Sequence, residues 1–446
     1  EIDKFTLKVL FTTVTNVNFD TERLQNFVLK LAQLKNKAKK LYLKACKEAN
    51  VKPERFSDPA YWEPAETLPQ MIAQGEKASI ERMHDADNLD ITSLQELIIN
   101  GIKGVAAYTD HAQILGYEDD EIYAFLYEVL DYMSQKHQSL DKLLEYVLKT
   151  GEINLKAMKL LDKANTETFG DPEPTRVRTT PVKGQAILVS GHDLKDLEEV
   201  LKQTEGTGIN VYTHGEMLPA HGYPELKKYK HLVGNYGGSW YIQQKEFEEF
   251  PGAVLMTTNC IQEPQEFYRG RIYTTGLVAW PGVGHIDDKD FTKLINSAKN
   301  APGFLEDGEE SYITVGYGRN AVKNLSDKII KAIHEGKIKH FFLIGGCDGE
   351  NSTRNYYTEL AEAIPDNSVI LTLACGKYRF NKNDFGEIDG IPRLIDLGQC
   401  NDAYSAIEIA LLLSEAFEVD INELPLSMIL SWYEQKSVAI LLTLLY

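Results

Sequence analysis

The sequence predicts an α/β protein in which an N-terminal α-helical bundle precedes two Rossmann-like, doubly wound parallel-sheet domains. Three features lead there. Up to about residue 165, apolar residues recur at helical spacing and no convincing strand appears. The Pro/Gly/Thr-rich join "GDPEPTRVRTTPVKG", Gly170 to Gly184, ends that pattern. Beyond it, short apolar runs alternate with amphipathic helical stretches, as in βαβ units.

In the first part, Leu24, Phe27, Val28, Leu31 and Leu34 mark one face of a helix, and "DDEIYAFLYEVLDYMSQKH" and "SLDKLLEYVLKTGEINLKAMKLLDKAN" repeat the pattern. Asp119 and Ser139 stand where N-caps belong, since their side-chain oxygens can accept from the free N–H groups of a first turn. After the join, "QAILVSGHD", "GINVYTHGE", "GAVLMTTNC" and "RIYTTG" read as strands, with "DLKDLEEVLKQT" as the helix between the first two. A polar stretch, Ala301 to Ser311, separates a second alternating region. Its strands are "SYITVGYG", "HFFLIGGC", "SVILTLACG", "RLIDLGQC" and "LSMILSWYEQK", and "DAYSAIEIALLLSEAF" is one of its helices. The expected units are a helical bundle over 1–170, a first α/β domain over 171–305, and a second over 306–446.

Composition narrows the function. With 446 residues, 43% hydrophobic and 25% charged, the chain has ample core material for a globular protein. A formal net charge of −19 repels phosphate backbones, so nucleic acid is not an expected partner. No apolar run reaches bilayer-spanning length, so no membrane association is expected. Five cysteines argue against a secreted disulfide scaffold, and the cytoplasm is the expected compartment. The chain opens without Met and stops at Tyr446 inside an apolar run, so a fragment with an incomplete last domain is expected.

Four of the five cysteines follow predicted strands: Cys260 after "AVLMTTN", Cys347 after "FFLIGG", Cys375 after "VILTLA" and Cys400 after "RLIDLGQ". That edge of an open α/β sheet is where ligands bind. A single cysteine there is most simply a small buried hydrophobe; four in equivalent places point to a shared ligand. They are far apart in sequence and no CxxC occurs, which excludes a zinc ribbon or ferredoxin-type loop. His192 after "ILVSG", Glu216 after "VYTHG" and Glu434 after "MILSWY" occupy the same edge, and His214 lies two residues before Glu216. Thiolates suit sulfide clusters, whereas carboxylate and imidazole suit harder iron. The mixed set therefore implies a metal site with a sulfur face and an oxygen-tolerant face. Lys436, two residues past Glu434 on a segment read as extended, would share its side and could donate a proton or anchor an anion. Cys46, alone on a polar helix, has no assigned role.

The stretches "VSGHDLKDL", "YTHGEMLPAHGYPEL", "GNYGGSWYIQQKEF", "TTNCIQEP", "RIYTTGLVAWPGVGHI", "GGCDG", "TLACGKYRF", "LGQCNDAYSA" and "SWYEQKSVAILLTLLY" closely resemble the hybrid cluster protein family, also called prismane proteins or hydroxylamine reductases. The resemblance covers essentially residues 10–446. It implies the same fold, with a hybrid [4Fe-2S-2O] cluster between the two α/β domains. It implies that His192, Glu216, Cys260, Cys347, Cys375, Cys400 and Glu434 bind that cluster, and that Cys347 carries an extra sulfur as a persulfide. Gly345-Gly346 would let the backbone turn tightly before Cys347 and admit the cluster. The family's N-terminal cysteine-rich segment, which holds a second conventional [4Fe-4S] or [2Fe-2S] cluster, would precede this chain, so that cluster is not expected here.

The implied activity is reduction of hydroxylamine to ammonia and water, an oxidoreductase reaction in which Glu434, Lys436 and His192 are the candidate proton carriers. Reduction of nitric oxide, a role in S-nitrosylation and a part in nitrosative stress fit the same site. The implied redox partner is a small iron–sulfur flavoprotein, for which the acidic surface favours a basic patch. The alternatives are a carbon monoxide dehydrogenase-like metallocluster enzyme, which the carboxylate ligands disfavour, and a cluster-free inactive fragment.

Overall fold

The computed structural model describes residues 1–56, 58–81, 88–135, 138–349, 355–431 and 434–446. The N-terminal part is helical: α1 (Ile2–Thr12), α2 (Thr21–Glu48), the short α3 (Asp58–Tyr61) and α4 (Leu68–Glu76), then α5 (Leu89–Ile114), α6 (Asp120–Met133) and α7 (Leu140–Phe169). The two caps read from sequence are in place. Asp119 accepts from the Glu121 N–H and Ser139 from the Lys142 N–H. Asp20 and Asn88 cap α2 and α5 in the same way.

The first sheet has the order β4-β3-β2-β5-β6-β7, all parallel. Its strands are β2 (Ala186–Ser190), β3 (Asn210–His214), β4 (Leu232–Asn235), β5 (Ala253–Met256), β6 (Ile272–Thr275) and β7 (Gly284–Ile286), after β1 (Thr175–Arg178) in the join. Counted within the domain, that is the 3-2-1-4-5-6 order of a dinucleotide-binding fold, with its switch point between β2 and β5. Side chains alternate across the sheet. Ile187, Val189, Val211 and Leu255 pack on one side with Leu197, Val200 and Leu201 of helix α8 (Leu194–Thr204). Leu188, Tyr212, Val254 and Met256 pack on the other with Phe247 and Phe250. Both faces are covered, which is why these strands read as continuous apolar runs.

The second sheet is built from β9 (His340–Gly346), β10 (Ser368–Leu373), β13 (Leu394–Asp396) and β14 (Leu426–Ser431), in the parallel order β13-β10-β9-β14. It switches direction between β9 and β14. A small hairpin, β11 (Glu387–Ile388) with β12 (Ile391–Pro392), precedes β13.

Two sequence expectations are corrected. "SYITVGYG" does form a strand, β8 (Tyr312–Val315), but it pairs antiparallel with β1 of the join and not with the second sheet. Its burial alternates, Ile313 and Val315 inward and Tyr312 and Thr314 outward. That pattern suits a ribbon covered on one side, not a strand sandwiched between helices. The run "LSMILSWYEQK" is not extended throughout. β14 ends at Ser431, Trp432 and Tyr433 lie outside the described residues, and a helix begins at Gln435. The strands "LVGN" and "GHI" were not foreseen, being too short to show a period.

The C-terminal helix, Gln435–Leu445, leaves the second sheet and packs between α5 and α7. Small residues make room for it: a methyl on Gly151 would overlap the Leu442 carbonyl. Thr443 Oγ1 donates to the Gly151 carbonyl at 2.9 Å and accepts from Asn154 Nδ2 at 3.0 Å. The apolar end of the chain is thus the tie between the helical layer and the second sheet. Gly151→Ala is expected to lower stability by ~1–3 kcal/mol through overpacking. The control Gly75→Ala, in α4 with nothing near its would-be Cβ, is expected to be neutral or to raise stability by up to ~1 kcal/mol. Urea midpoints of the two variants check both.

Candidate metal centre

The carboxyl ends of the two sheets face one another, and the predicted ligands sit at or beside their switch points. His192 follows β2, Glu216 follows β3, Cys260 follows β5, Cys347 follows β9, Cys375 follows β10, Cys400 follows β13 and Glu434 follows β14. His192, Glu216, Cys347, Cys375, Cys400 and Glu434 are buried and Cys260 is half-buried. All four thiols are free. Ligand atoms of His192, Glu216 and Cys400 lie within 4.8 Å of one another.

Each donor is aimed by hydrogen bonds made elsewhere on its residue. His192 Nδ1 lies 3.1 Å from the Asn259 carbonyl and 2.9 Å from Thr258 Oγ1. A carbonyl only accepts, so Nδ1 carries the proton and the Nε2 lone pair is left for the cage. Nε2 is 3.7 Å from Glu216 Oε2. Burial, with Lys436 and His111 nearby, holds His192 well below the ordinary imidazole range, in the neutral form that ligates metals. Glu216 Oε2 accepts from the Cys400 N–H at 2.7 Å. Among the described residues nothing hydrogen-bonds its other oxygen, Oε1, although that atom is buried. Glu434 caps the C-terminal helix, accepting from the Lys436 N–H at 2.8 Å.

Lys436 departs from the sequence reading in its backbone but not in its position. It stands in the first turn of a helix, not on an extended segment. Its side chain still reaches into the cage. Nζ is 3.6 Å from Glu434 Oε1, 3.3 Å from His192 Nε2 and 3.0 Å from Asn259 Oδ1. Burial opposes its charge, but Cys400, Glu434, Cys260 and Cys347 around it outweigh that and raise it above an ordinary lysine.

Burial pushes all four thiols up, for Cys260 and Cys400 against the pull of Lys436, and Cys400 reaches about 12. Burial likewise raises Glu216 and Glu434. Left to themselves these groups hold their protons; bound cations would draw those protons off and turn the thiols into ligands. Four thiols, a lone imidazole nitrogen and an orphaned carboxylate oxygen fit a cationic group with both soft and hard metal positions. The chemistry of the donor set is that of a metallocluster.

Gly345-Gly346 makes the tight change of backbone direction expected of it and meets a second demand from inside the sheet. Both lie inside β9, and Gly346 has φ of 108°. A methyl there would overlap the Ser431 carbonyl of β14. That second demand therefore comes from the neighbouring strand within the sheet. Glu350–Arg354 of the stretch that follows Cys347 lie outside the described residues.

Sequence reasoning missed several groups at the cage. Tyr108 and His111 reach it from α5. The Tyr108 hydroxyl lies beside Cys400, and the His111 ring is 6.4 Å from that of His192. A signal existed: "YTDH" lies in a stretch of α5 that is buried all round, where polar side chains are costly. Asn259, Gln399 and Trp240 were missed too. His214 points away from the cage, held between Ser190 Oγ at 2.9 Å and Glu246 Oε2 at 2.9 Å. Cys46 stands apart in α2.

The whole chain, residues 1–446, matches the family described as Prismane/CO dehydrogenase. The chain belongs to that family. A hydroxylamine reductase of Thermodesulfovibrio yellowstonii is 56% identical over 445 residues, covering 100% of this chain and 81% of that protein. A hydroxylamine reductase of Syntrophobacter fumaroxidans is 54% identical, again covering 100% and 81%. Among solved structures, a carbon monoxide dehydrogenase from Thermococcus sp. AM4 superposes with a TM-score of 0.61 at 16% identity, over 80% of this chain and 77% of that one. Carbon monoxide dehydrogenase IV from Carboxydothermus hydrogenoformans gives 0.60 at 14%, over 79% of each. Those two likenesses establish the shared helix-rich α/β fold. This Prismane/CO dehydrogenase chain is an oxidoreductase. No helix among its described residues is long and apolar enough to cross a membrane.

One buried acid near the centre makes a pH prediction. Asp110, beside His111, has an Oδ1 with no partner among the described residues and is pushed up to about 7 by burial, against Lys8 and with help from Asp193. Its folded value exceeds the unfolded one of about 3.9, so the folded state binds the extra proton and stability falls as pH rises through that window. Relative to Asp110→Asn, the wild type is expected to lose ~2–4 kcal/mol between about pH 4 and pH 8. Urea midpoints of both proteins across that range check it.

Proposed function

We propose that the chain reduces hydroxylamine to ammonia and water at a hybrid [4Fe-2S-2O] cluster held by His192, Glu216, Cys260, Cys347, Cys375, Cys400 and Glu434. The observation that carries this reading is the mixed donor set at the facing sheet ends, four thiols with two buried carboxylates and a lone imidazole nitrogen. Relatives 51–56% identical over essentially the whole chain bear the name hydroxylamine reductase, which supports it. When bound, the cluster supplies electrons and a Lewis-acidic iron.

The net change is NH2OH plus two electrons and two protons to NH3 and H2O. The chain's own residues handle the protons. Lys436 stays cationic, and its Nζ offers hydrogen bonds to an oxygen or nitrogen arriving beside His192 and Glu434. Lys436 Nζ, 3.6 Å from Glu434 Oε1, is placed to stabilise the Glu434 carboxylate, and both groups stand beside the arriving substrate as candidate proton carriers. Closed packing around the cage excludes bulk water and strengthens each of these interactions. In the same reading Cys347 carries a persulfide, nitric oxide is a second substrate, and a small iron–sulfur flavoprotein with a basic docking patch delivers electrons to this acidic surface.

The test is anaerobic. Chain loaded with iron and sulfide, given a reduced viologen and hydroxylamine, is expected to form one ammonia per hydroxylamine consumed. Lys436→Met is expected to keep its iron but lose ~10²–10⁴-fold in rate. Iron-loaded protein that leaves hydroxylamine intact and oxidises carbon monoxide would replace this reading with the dehydrogenase one.

A further inference from the structure

The carbonyl oxygens of four of the seven candidate ligands, His192, Glu216, Cys347 and Cys375, are claimed by side chains from the opposite sheet domain. From the first domain, Trp240 Nε1 donates to the Cys347 carbonyl at 2.9 Å, and Ser239 Oγ donates to the Cys375 carbonyl at 3.1 Å. From the second, Gln399 Nε2 donates to the Glu216 carbonyl at 2.7 Å and the His192 carbonyl at 3.2 Å. Tyr378 donates its hydroxyl to the Gly215 carbonyl, next to Glu216, at 2.8 Å. Within the first domain, Gln243 Nε2 bridges the carbonyls of Trp240 and Cys260, each at 2.7 Å. Ser239, Trp240, Gln243 and Gln399 are all buried.

We infer that Ser239, Trp240, Tyr378 and Gln399 form a reciprocal lock that sets the spacing between the two halves of the ligand cage. A carbonyl held by a hydrogen bond fixes the peptide plane beside its residue, and with it the direction of the Cα–Cβ bond. Trp240 thereby aims the Cys347 sulfur, Ser239 the Cys375 sulfur, and Gln399 both His192 and Glu216. Because the donors run in both directions across the boundary, neither sheet can slide or tilt without breaking these buried hydrogen bonds. These are positioning residues; none ligates.

This inference rests on the reading of the cage as a metal centre, and the experiment separates the two. Trp240→Phe, Gln399→Met and Tyr378→Phe remove donors at little cost in volume, and Ser239→Thr keeps its hydroxyl as the control. Each protein is loaded with iron and sulfide anaerobically and titrated with a ferrous chelator, with the electron paramagnetic resonance spectrum and the thermal unfolding of the iron-free protein recorded alongside. Removing outer hydrogen-bond partners of a metal site costs about 10–100-fold in metal affinity. The three variants are therefore expected to give up half their iron at about tenfold or more lower chelator concentration, with an altered resonance signal, while the iron-free protein still unfolds in one cooperative transition lowered by no more than the loss of a buried hydrogen bond. Ser239→Thr is expected to match the wild type. Where one variant fails to fold, the others, which act from opposite sides of the boundary, carry the test. Iron retained alike by wild type and all three variants, with the same spectrum, overturns the lock alone. No iron in the wild type overturns the metal-centre reading and the lock with it.

Discussion

The gathering of seven candidate ligands and a lysine, nearly all of them buried, is the constraint on which the rest of the structure depends. Each group taken out of water as an ion costs several kcal/mol unless a partner compensates. The thiols and carboxylates answer by holding their protons, and Lys436 answers by sitting among them. Glu216 Oε1 has no answer among the described residues. Thiols, carboxylates and an imidazole nitrogen gathered in this way fit a cationic group whose metals would displace the protons and turn the acids into ligands.

Parallel sheets are what make such a cage possible. Their strands end where chains turn toward helices, and at a switch point adjacent connections leave on opposite sides and open a crevice. Here two switch points face each other, β2/β5 against β9/β14. Both crevices contribute to one cage, and neither alone holds more than four of the seven donors. The helical layer closes the open side with Tyr108 and His111 of α5. The C-terminal helix carries Lys436 in its first turn and anchors its far end on Gly151 of α7. One helix thus fastens the helical layer to the second sheet and positions the cage lysine.

Much of this was legible in the residues. Continuous apolar runs such as "AILVS" and "FFLI" mark strands buried on both faces, and they are found there. Cysteines placed just past those runs could be assigned to one edge without any knowledge of which strands are neighbours. The errors have a common cause. "SYITVGYG" was placed in the second sheet because it lies near those strands in sequence, although its alternating pattern suits a one-sided ribbon. Lys436 was matched to Glu434 by strand periodicity, and the structure matches them by a helix cap. Gly346 is also required by the Ser431 backbone, which is 85 residues away in sequence and adjacent only once β9 and β14 pair.

By itself the sequence determined the longer buried strands, the candidate ligands that follow them and the donor chemistry those residues carry. Those are properties of local hydrophobic period and residue type, and both are written in neighbouring positions. Only the tertiary structure decided that two sheets face each other and that α5 supplies Tyr108 and His111. It alone decided that Trp240 holds Cys347 and that Gln399 holds His192 and Glu216. A hydrogen bond from a glutamine to a distant carbonyl leaves no trace in either residue's identity. Its existence depends on strand order and domain packing, which are decided by the burial of the whole chain at once.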